Sequence, residues 1–400
     1  MDRVGGQGGR RPSPRPLLTK RGTPAPPADR VARRDARASG LRYVSVDSPG
    51  IHRRKAGRGF SYVDDAGRRV RDPKTLDRIR RIAIPPAWTD VWICASPEGH
   101  IQAVGRDARG RRQYRYHPEF RGRRDAGKFA RLIRFGERLP RIRRRVRHDL
   151  GLRGLPRDKV LAAVVRLLEL TRLRVGNAEY ATLNRTFGLT TLRDRHAVVR
   201  GATIRFRFRG KGGQTEERSL IDRRLAGVVR RCQELPGQEL FQYEDDAGEV
   251  RAVASDDVNA YLRDAAGDEA FSAKDFRTWT ATVHAFRELQ ATAAAEPPRR
   301  RQSQIVHALR RTAEELGNTL AVTRGSYVHP DVVAAFEEAP GVDAGADAAP
   351  SRRRTLMDRP PSRDDELALL ALLRRASSRA ARRSKVRTRG AAGRQSARSA

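Results

Sequence analysis

The sequence predicts an α+β protein with a small β-rich N-terminal domain and a larger, mainly α-helical domain that contains a β-hairpin. From residue 59 to about 120, short β-like runs alternate with turn signals such as Asp64-Asp65-Ala66-Gly67. Beyond that region, apolar residues recur with the period of an α-helix. The exception is the stretch 204–209, where apolar residues alternate with arginine, as expected of a strand.

In the first domain, strands are predicted at 60–63, 88–95 and 101–104, where β-branched and aromatic residues stand between Gly, Pro and Asp turns. Trp88 and Trp92 are interpreted as core residues, as is Trp279 farther along the chain. These short runs indicate a small sheet.

In the second domain, the spacing of apolar residues from 160 to 168 predicts a helix with Asp158 as its N-cap. Another helix is predicted at 279–289. A third runs from Ser303, the expected N-cap, to Leu316, with Gly317 as its stop. The alternation at 204–209 leads into 210–213 and predicts a two-stranded hairpin with a flexible tip.

The charge pattern sets the expected boundaries. Residues 1–40 carry ten basic and three acidic side chains and few apolar ones, so we expect a disordered basic arm. The β-rich domain is placed at 41–120 and the helical domain at 121–336. Residues 337–400 are expected to form a linker, a short helix and a basic disordered tail. Removal of 1–40 and 351–400 is expected to leave the folded part active.

The formal net charge of +37 indicates a polyanionic partner. A membrane surface would also attract this charge, but no amphipathic helix carries a Trp or Phe face to insert, so nucleic acid is favoured. No apolar run is long enough to span a bilayer, and the expected location is the cytoplasm. Two cysteines, scattered histidines and the absence of a nucleotide-binding loop predict neither metal nor cofactor.

One lysine stands out because only eight of the 84 basic residues are lysine. Lys211 lies at the hairpin tip among arginines, and an ammonium group can donate a proton in catalysis, whereas a guanidinium stays charged. A solvated turn lysine is the alternative. Arg174 and Arg277 lie at the end and the start of predicted helices, and Asn318 precedes Tyr327 by nine residues. Each of these residues alone is uninformative.

Taken in order, Arg-Val-Gly-Asn at 174–177, Gly-Lys-Gly at 210–212, Lys-Asp-Phe-Arg-Thr-Trp at 274–279 and Ser-Tyr-Val-His-Pro at 326–330 resemble the type IB DNA topoisomerases. The similarity is strongest to the compact branch shared by poxviruses and bacteria, and it spans about 57–335. It implies a DNA-binding domain at 41–120, a catalytic domain at 121–336, and a monomeric clamp around double-stranded DNA in the nucleoid.

The resemblance also implies roles for five residues. Tyr327 would attack a phosphodiester and form a 3′-phosphotyrosyl link, Arg174 and Arg277 would bind the phosphate oxygens, and Lys211 would protonate the leaving 5′-oxygen. Asn318 stands where many relatives have histidine, so it can donate a hydrogen bond but cannot titrate. Religation would need no ATP, because the ester conserves the bond energy.

Residues 106–116 interleave aromatic, cationic and amide side chains, which are the types that contact bases and phosphates. The resemblance implies that this segment lies in a DNA groove, and the alternative is that the tyrosines simply share one face of a strand. The predicted DNA-binding residues are Arg106, Arg112, Gln113, Tyr114 and Tyr116.

Two other functions remain open. A tyrosine site-specific recombinase would use the same five residues, although Lys274 here precedes Arg277 where recombinases usually have histidine. A DNA-packaging protein would explain the charge but not the ordered set of candidate catalytic residues.

Overall fold

The computed structural model describes residues 27–108, 110–292, 298–340 and 361–396. The chain divides into two compact units, Met1–Ala126 and Gly127–Ala400, called here the N-terminal and C-terminal units. The division falls six residues after the boundary expected from the sequence. The α+β class is confirmed.

The N-terminal unit is built on a five-stranded antiparallel sheet in the order β2-β1-β3-β4-β5. Its elements are α1 Pro27–Ala38, β1 Gly50–Ala56, β2 Gly59–Asp64, α2 Pro73–Ile82, β3 Thr89–Cys94, β4 Ile101–Arg106 and β5 Arg112–Tyr116. Asp72 caps α2 by accepting from the Thr75 N–H (2.9 Å), and Pro73 suits the first turn. Ile79 of α2 packs with Ile51 and Ile93 of the sheet.

The C-terminal unit is mainly helical and contains two small sheets, ordered β6-β7-β8 and β9-β10. Its helices are α3 Pro118–Asp149, which begins in the N-terminal unit, α4 Arg157–Thr171, α5 Ala178–Asn184, α6 Arg223–Gln233, α7 Ser255–Ala266, α8 Ala273–Gln290, α9 Pro298–Leu316, α10 Leu320–Ser326, α11 Pro330–Glu337 and α12 Arg363–Ser396. Its strands are β6 Ala197–Arg200, β7 Thr203–Arg209, β8 Thr215–Ile221, β9 Gln242–Glu244 and β10 Val250–Ala252.

Helix α8 lies at the centre of this unit. Fifteen of its 18 residues are buried, because α4, α9, α11 and α12 pack around it. Trp279 is in this core, and Trp92 is buried in the N-terminal unit, as predicted. The alternation in β7 is also as predicted: Phe206 and Phe208 are buried, and Arg207 between them is exposed.

Several details differ from the sequence-based expectations. The hairpin belongs to a sheet of three strands, because β6 pairs with β7. Helix α4 begins after Pro156, and Asp158 lies in its first turn, where it pairs with Arg145 at 3.0 Å. Helix α9 starts at Pro298, so Ser303 is not its cap. The Ser303 hydroxyl instead donates to the Arg299 carbonyl.

The ends of the chain differ as well. Residues 1–26 and 341–360 of the expected arm and linker lie outside the described residues. Part of the expected disordered arm, 27–38, is helix α1, in which Ala36 is buried. Helix α12 is much longer than the short helix expected, and its first turns join the core through Leu369 and Leu373. Within the described ranges, no helix has the length and apolar character needed to cross a bilayer.

Candidate active site

Tyr327 lies in the three-residue connection between α10 and α11. Thr319 caps α10 by accepting from the Val322 N–H (3.3 Å), and the N–H of Tyr327 donates to the Thr323 carbonyl (3.0 Å). Pro330 then begins α11. The half-buried Tyr327 ring packs against the hydrophobic core, so the position of the side chain is well defined.

Two cations lie near the Tyr327 ring. The guanidinium carbon of Arg277 is 5.5 Å from the ring centroid, and Nζ of Lys128 is 5.9 Å from it. Lys128 also donates to the carbonyl of Ser326. Positive charge near an aromatic ring is favourable. Lys128 was not identified from the sequence.

Arg277 is buried in α8, with 6% of its surface exposed. Its guanidinium donates to the carbonyl of Leu316 (2.9 Å) and to that of Arg172. Leu316 stands two positions before Asn318, and Arg172 stands two positions before Arg174. The Arg277 side chain therefore connects the two segments that carry the other phosphate-binding candidates. Burial, followed by the charge of Arg174, lowers the pKa of Arg277 to about 10. The group therefore stays protonated at neutral pH.

Arg174 and Asn318 bind each other directly. Nη2 of Arg174 donates to Oδ1 of Asn318 at 2.9 Å, which leaves the Asn318 amide nitrogen as the remaining side-chain donor. Gly317 ends α9 with φ +60°, and this left-handed residue allows the N–H of Asn318 to donate to the Ala313 carbonyl (2.9 Å). The amide is thus held by both its backbone and its side chain.

Two donors at this site have no partner. Nδ2 of Asn318 and Nε of Arg277 are buried and make no hydrogen bond within the described part of the chain. Leaving a buried donor unsatisfied costs about 1–3 kcal/mol, more when it is charged. An anionic ligand would satisfy both. Beside a phenol, such donors can stabilise charge on the oxygens of a phosphoryl group under attack.

Glu216 is a site residue that sequence reasoning missed. Its carboxylate lies 3.4 Å from Nη1 of Arg174 and 3.5 Å from Nη2 of Arg218. Gly210 leaves room for it, because a Cβ there would come within 2.4 Å of Glu216 Cγ. A signal was available in the strand alternation: Glu216 faces inward opposite the buried Phe208, and an inward-facing charge requires a partner.

Lys211 is the one predicted catalytic residue that the structure leaves apart from the others. It lies in the short 3-10 turn Lys211–Gly213 between β7 and β8, is exposed, and has no hydrogen-bond or ion-pair partner among the described residues. The turn includes Gly212 and Gly213 with positive φ, which other residues rarely adopt. The structure therefore links Arg174, Arg277, Asn318 and Tyr327 through contacts, whereas the Lys211 side chain makes no hydrogen bond or ion pair with any of these four residues.

In the N-terminal unit, the two predicted tyrosines lie side by side. The rings of Tyr114 and Tyr116 are nearly parallel with centroids 5.9 Å apart, and each residue is 41% exposed. They line a groove of about 860 Å³. Its other lining residues include five cations: Lys74, Arg78, Arg81, Arg115 and Arg121. Exposed aromatic rings beside cations are suited to nucleic acid.

The other predicted DNA-binding residues lie elsewhere in the same unit. Arg106 and Arg112 are cross-strand neighbours that line a second groove of about 580 Å³. The amide of Gln113 donates to the Asp107 carboxylate at 3.0 Å, so one of its two N–H donors is already used. Arg106, Arg112, Tyr114 and Tyr116 nevertheless lie on one face of the sheet, whereas Gln113 lies on the other.

Family models match both units of the chain. Residues 117–340 match the catalytic core of eukaryotic DNA topoisomerase I, which is more than half of the sequence. Residues 59–107 match the N-terminal domain of bacterial DNA topoisomerase IB. The two matches are consecutive, with the segment 108–116 between them.

A curated relative and a solved structure are also similar. DNA topoisomerase 1B of Acanthamoeba polyphaga mimivirus is 31% identical over 286 residues, covering 70% of this chain and 85% of the viral protein. A XerH site-specific recombinase bound to palindromic difH substrate, in a post-cleavage complex, aligns with a TM-score of 0.32 and 12% identity over 50% of this chain and 49% of its own. From the two family matches and the viral relative, the chain belongs to the type IB DNA topoisomerases, a family of isomerases that act on DNA.

Proposed function

We propose that this protein relaxes supercoiled DNA by cutting one strand through Tyr327 and then resealing it, without ATP. The phenolic oxygen attacks the phosphorus, the bond to the 5′-oxygen breaks, and a 3′-phosphotyrosyl ester forms. The 5′-hydroxyl later attacks the ester and restores both the strand and the phenol. Free rotation of the cut end between the two steps removes supercoils.

The observation that carries this proposal is the Arg277 guanidinium, 5.5 Å from the Tyr327 ring, together with the unpartnered buried donors Nε of Arg277 and Nδ2 of Asn318. Asn318 Nδ2 and Arg277 Nε are held by helix ends and main-chain carbonyls, so they need little reorganisation when charge develops on phosphate oxygens. Arg174 adds a charged donor on the same side. Lys211, on its exposed turn, supplies the proton for the leaving 5′-oxygen once bound DNA places that oxygen beside the Lys211 ammonium group.

DNA binding by the N-terminal unit is part of the same proposal. The tyrosine groove offers aromatic rings and five cations, and the second groove adds Arg106 and Arg112. In this scheme Gln113 keeps one N–H on Asp107 and contacts a base through its second N–H and its amide oxygen. One copy of the chain acts as a clamp, and the charge of +37 keeps it on the nucleoid.

The decisive experiment is covalent capture with Tyr327→Phe as the control variant. Incubation with a nicked duplex, followed by denaturant, is expected to leave the parent protein attached to a 3′-phosphate and the variant free. The variant should bind DNA about as well as the parent, because the change removes one oxygen and no charge. A denaturant-resistant adduct with Tyr327→Phe would exclude Tyr327 as the nucleophile.

Plasmid relaxation separates this function from recombination. The protein is expected to relax an arbitrary supercoiled plasmid in EDTA without ATP. Activity only on paired cognate sites would identify a recombinase instead.

A further inference from the structure

A buried threonine of α8 contacts two main-chain groups of the connection that carries Tyr327, both on the C-terminal side of the Tyr327 side chain. Thr282 is fully buried, and its hydroxyl oxygen lies 3.1 Å from the carbonyl oxygen of Tyr327. The same oxygen accepts from the N–H of His329 at 3.2 Å. It also lies 2.8 Å from the Thr278 carbonyl, within its own helix.

This contact adds to the hydrogen bonding of the connection 327–329. The N–H groups of Tyr327 and Val328 both donate to the Thr323 carbonyl, at 3.0 and 3.1 Å. Thr282 meets the Tyr327 carbonyl and the His329 N–H. Its oxygen accepts from the His329 N–H, and its single proton is shared between the carbonyls of Thr278 and Tyr327.

A second buried threonine shows what is particular to Thr282. Thr312 of α9 is also fully buried, and its hydroxyl donates to the carbonyl four residues earlier, Ala308, at 2.9 Å. Thr282 makes the same kind of helix contact. Only Thr282 also contacts the connection 327–329. The two threonines are therefore alike in burial and in their intrahelical hydrogen bond, and they differ in the contact with the segment that carries Tyr327.

We propose that Thr282 is a positioning residue that fixes the distance between Tyr327 and the phosphate-binding side chains. Thr282 and Arg277 stand five residues apart on the same buried helix, so α8 carries both the anchor of the nucleophile and one of the phosphate donors. A displacement of about 1 Å at a reacting atom can cost about 100-fold in rate. This inference rests on the proposed role of Tyr327.

The test compares Thr282→Val with Thr312→Val in the full chain. Valine keeps the shape and removes the hydroxyl, so each variant loses its intrahelical bond. Only Thr282→Val also loses the tyrosine anchor. Single-turnover cleavage by Thr282→Val is expected to be slower by about tenfold or more, with DNA affinity within about twofold of the parent. Thr312→Val should cleave within about threefold of the parent.

Two further measurements identify the role. Thr282→Ser retains the hydroxyl and is expected to restore cleavage to within about threefold of the parent, although it removes a buried methyl group. A substrate with sulfur in place of the bridging 5′-oxygen has a better leaving group, and it is not expected to rescue Thr282→Val, because the defect lies in the nucleophile. If valine prevents folding at either position, the alanine pair gives the same comparison.

The outcomes are distinct. If Thr282→Val cleaves as fast as Thr312→Val, or if sulfur restores its rate, Thr282 is not a positioning residue for the nucleophile. If Thr282→Ser is as slow as Thr282→Val, packing rather than the hydroxyl is responsible, and the inference is again wrong. Adduct formation by Tyr327→Phe would instead overturn the proposed function itself.

Discussion

At the residue scale, the charge balance of the site depends on Glu216. Arg174, Arg218 and the buried Arg277 bring three positive charges to the region around Gly317, and Glu216 is the carboxylate that lies against the first two. The negative charge of Glu216 also acts to raise the pKa of Arg277, against the lowering caused by burial and by Arg174. Asn318, being neutral, adds a donor without adding to this positive charge.

Glu216→Gln tests this role, and Glu217→Gln is its matched control. Glu217 is the next residue on β8, but it faces solvent and pairs with Arg205 at 3.6 Å. Loss of a charged hydrogen bond to Arg174 costs about 1.5–3 kcal/mol, so cleavage by Glu216→Gln is expected to slow by about tenfold or more. DNA binding should not weaken, because a negative charge is removed. Equal cleavage rates in the two variants would contradict the assignment.

The proton donor is tested with Lys211→Ala and a substrate that carries sulfur at the bridging 5′ position. Sulfur leaves without a proton, so the modified substrate is expected to restore most of the cleavage rate lost in Lys211→Ala. Arg277→Ala should remain slow by about 10²–10³ on the same substrate, because charge on the non-bridging oxygens still needs stabilisation. Equal rescue of both variants, or rescue of neither, would make Lys211 an ordinary phosphate-binding residue.

At the element scale, helix α12 is part of the structure that supports the site. Glu366 binds the Arg143 guanidinium through two hydrogen bonds, of 2.7 and 2.8 Å, and accepts from the Trp279 indole (3.2 Å). Asp365 pairs with Arg287 of α8 at 3.2 Å. Trp279 and Arg287 lie on the helix that carries Arg277 and Thr282. Removal of 351–400 would therefore delete contacts that stabilise the C-terminal unit, contrary to the sequence-based expectation that this segment is dispensable.

Two truncations should therefore behave differently. A chain that ends at residue 350 loses the buried Leu369, Leu370 and Leu373, each worth about 1.5–3 kcal/mol, and leaves Arg143 without Glu366. We expect a clearly lower melting temperature and loss of relaxation. A chain that ends at residue 379 keeps these contacts and should melt close to the full chain. Equal melting temperatures for both truncations would show that α12 does not stabilise the unit.

Much at this scale was predictable from the sequence, because it depends on local periodicity. The alternation at 204–209 identified a strand, and the stop at Gly317 followed from the conformational freedom of glycine. The start of α9 was not predictable in the same way. Serine is a common N-cap residue, but Ser303 lies inside the helix, which already begins at Pro298. The helix is stabilised because its apolar face up to Leu316 is buried against α8.

At the scale of the whole molecule, acid stability is expected to depend on a buried histidine. His284 lies in α8, and its Nε2 is 3.1 Å from Nη2 of Arg172. Burial, then the charges of Arg172 and Arg287, lowers the pKa of His284 to about 3, whereas Asp365 acts in the opposite direction. The folded protein therefore keeps this imidazole neutral, while the unfolded chain protonates it below about pH 6.5.

The sign of the effect follows from proton binding. Between about pH 6.5 and 3 the unfolded state binds a proton that the folded state does not, so the free energy of unfolding falls as pH falls. The contribution is at most about 1.4 kcal/mol per pH unit. His284→Gln should flatten this dependence in denaturant titrations of the full chain. The exposed His307→Gln is the control, and parallel pH profiles for all three proteins would contradict the prediction.

The sequence by itself determined the family of this protein and the candidate residues for its chemistry, whereas the tertiary structure alone revealed what surrounds those residues. The candidates stand in short motifs whose order indicated the family without coordinates: Arg174, Lys211, Arg277, Asn318 and Tyr327. Glu216, Thr282 and Glu366 carry no such motif. Thr282 meets Tyr327 across 45 positions, and Arg143 meets Glu366 across 223. Local periodicity shows which face of an element is buried, but only packing decides which distant group meets it.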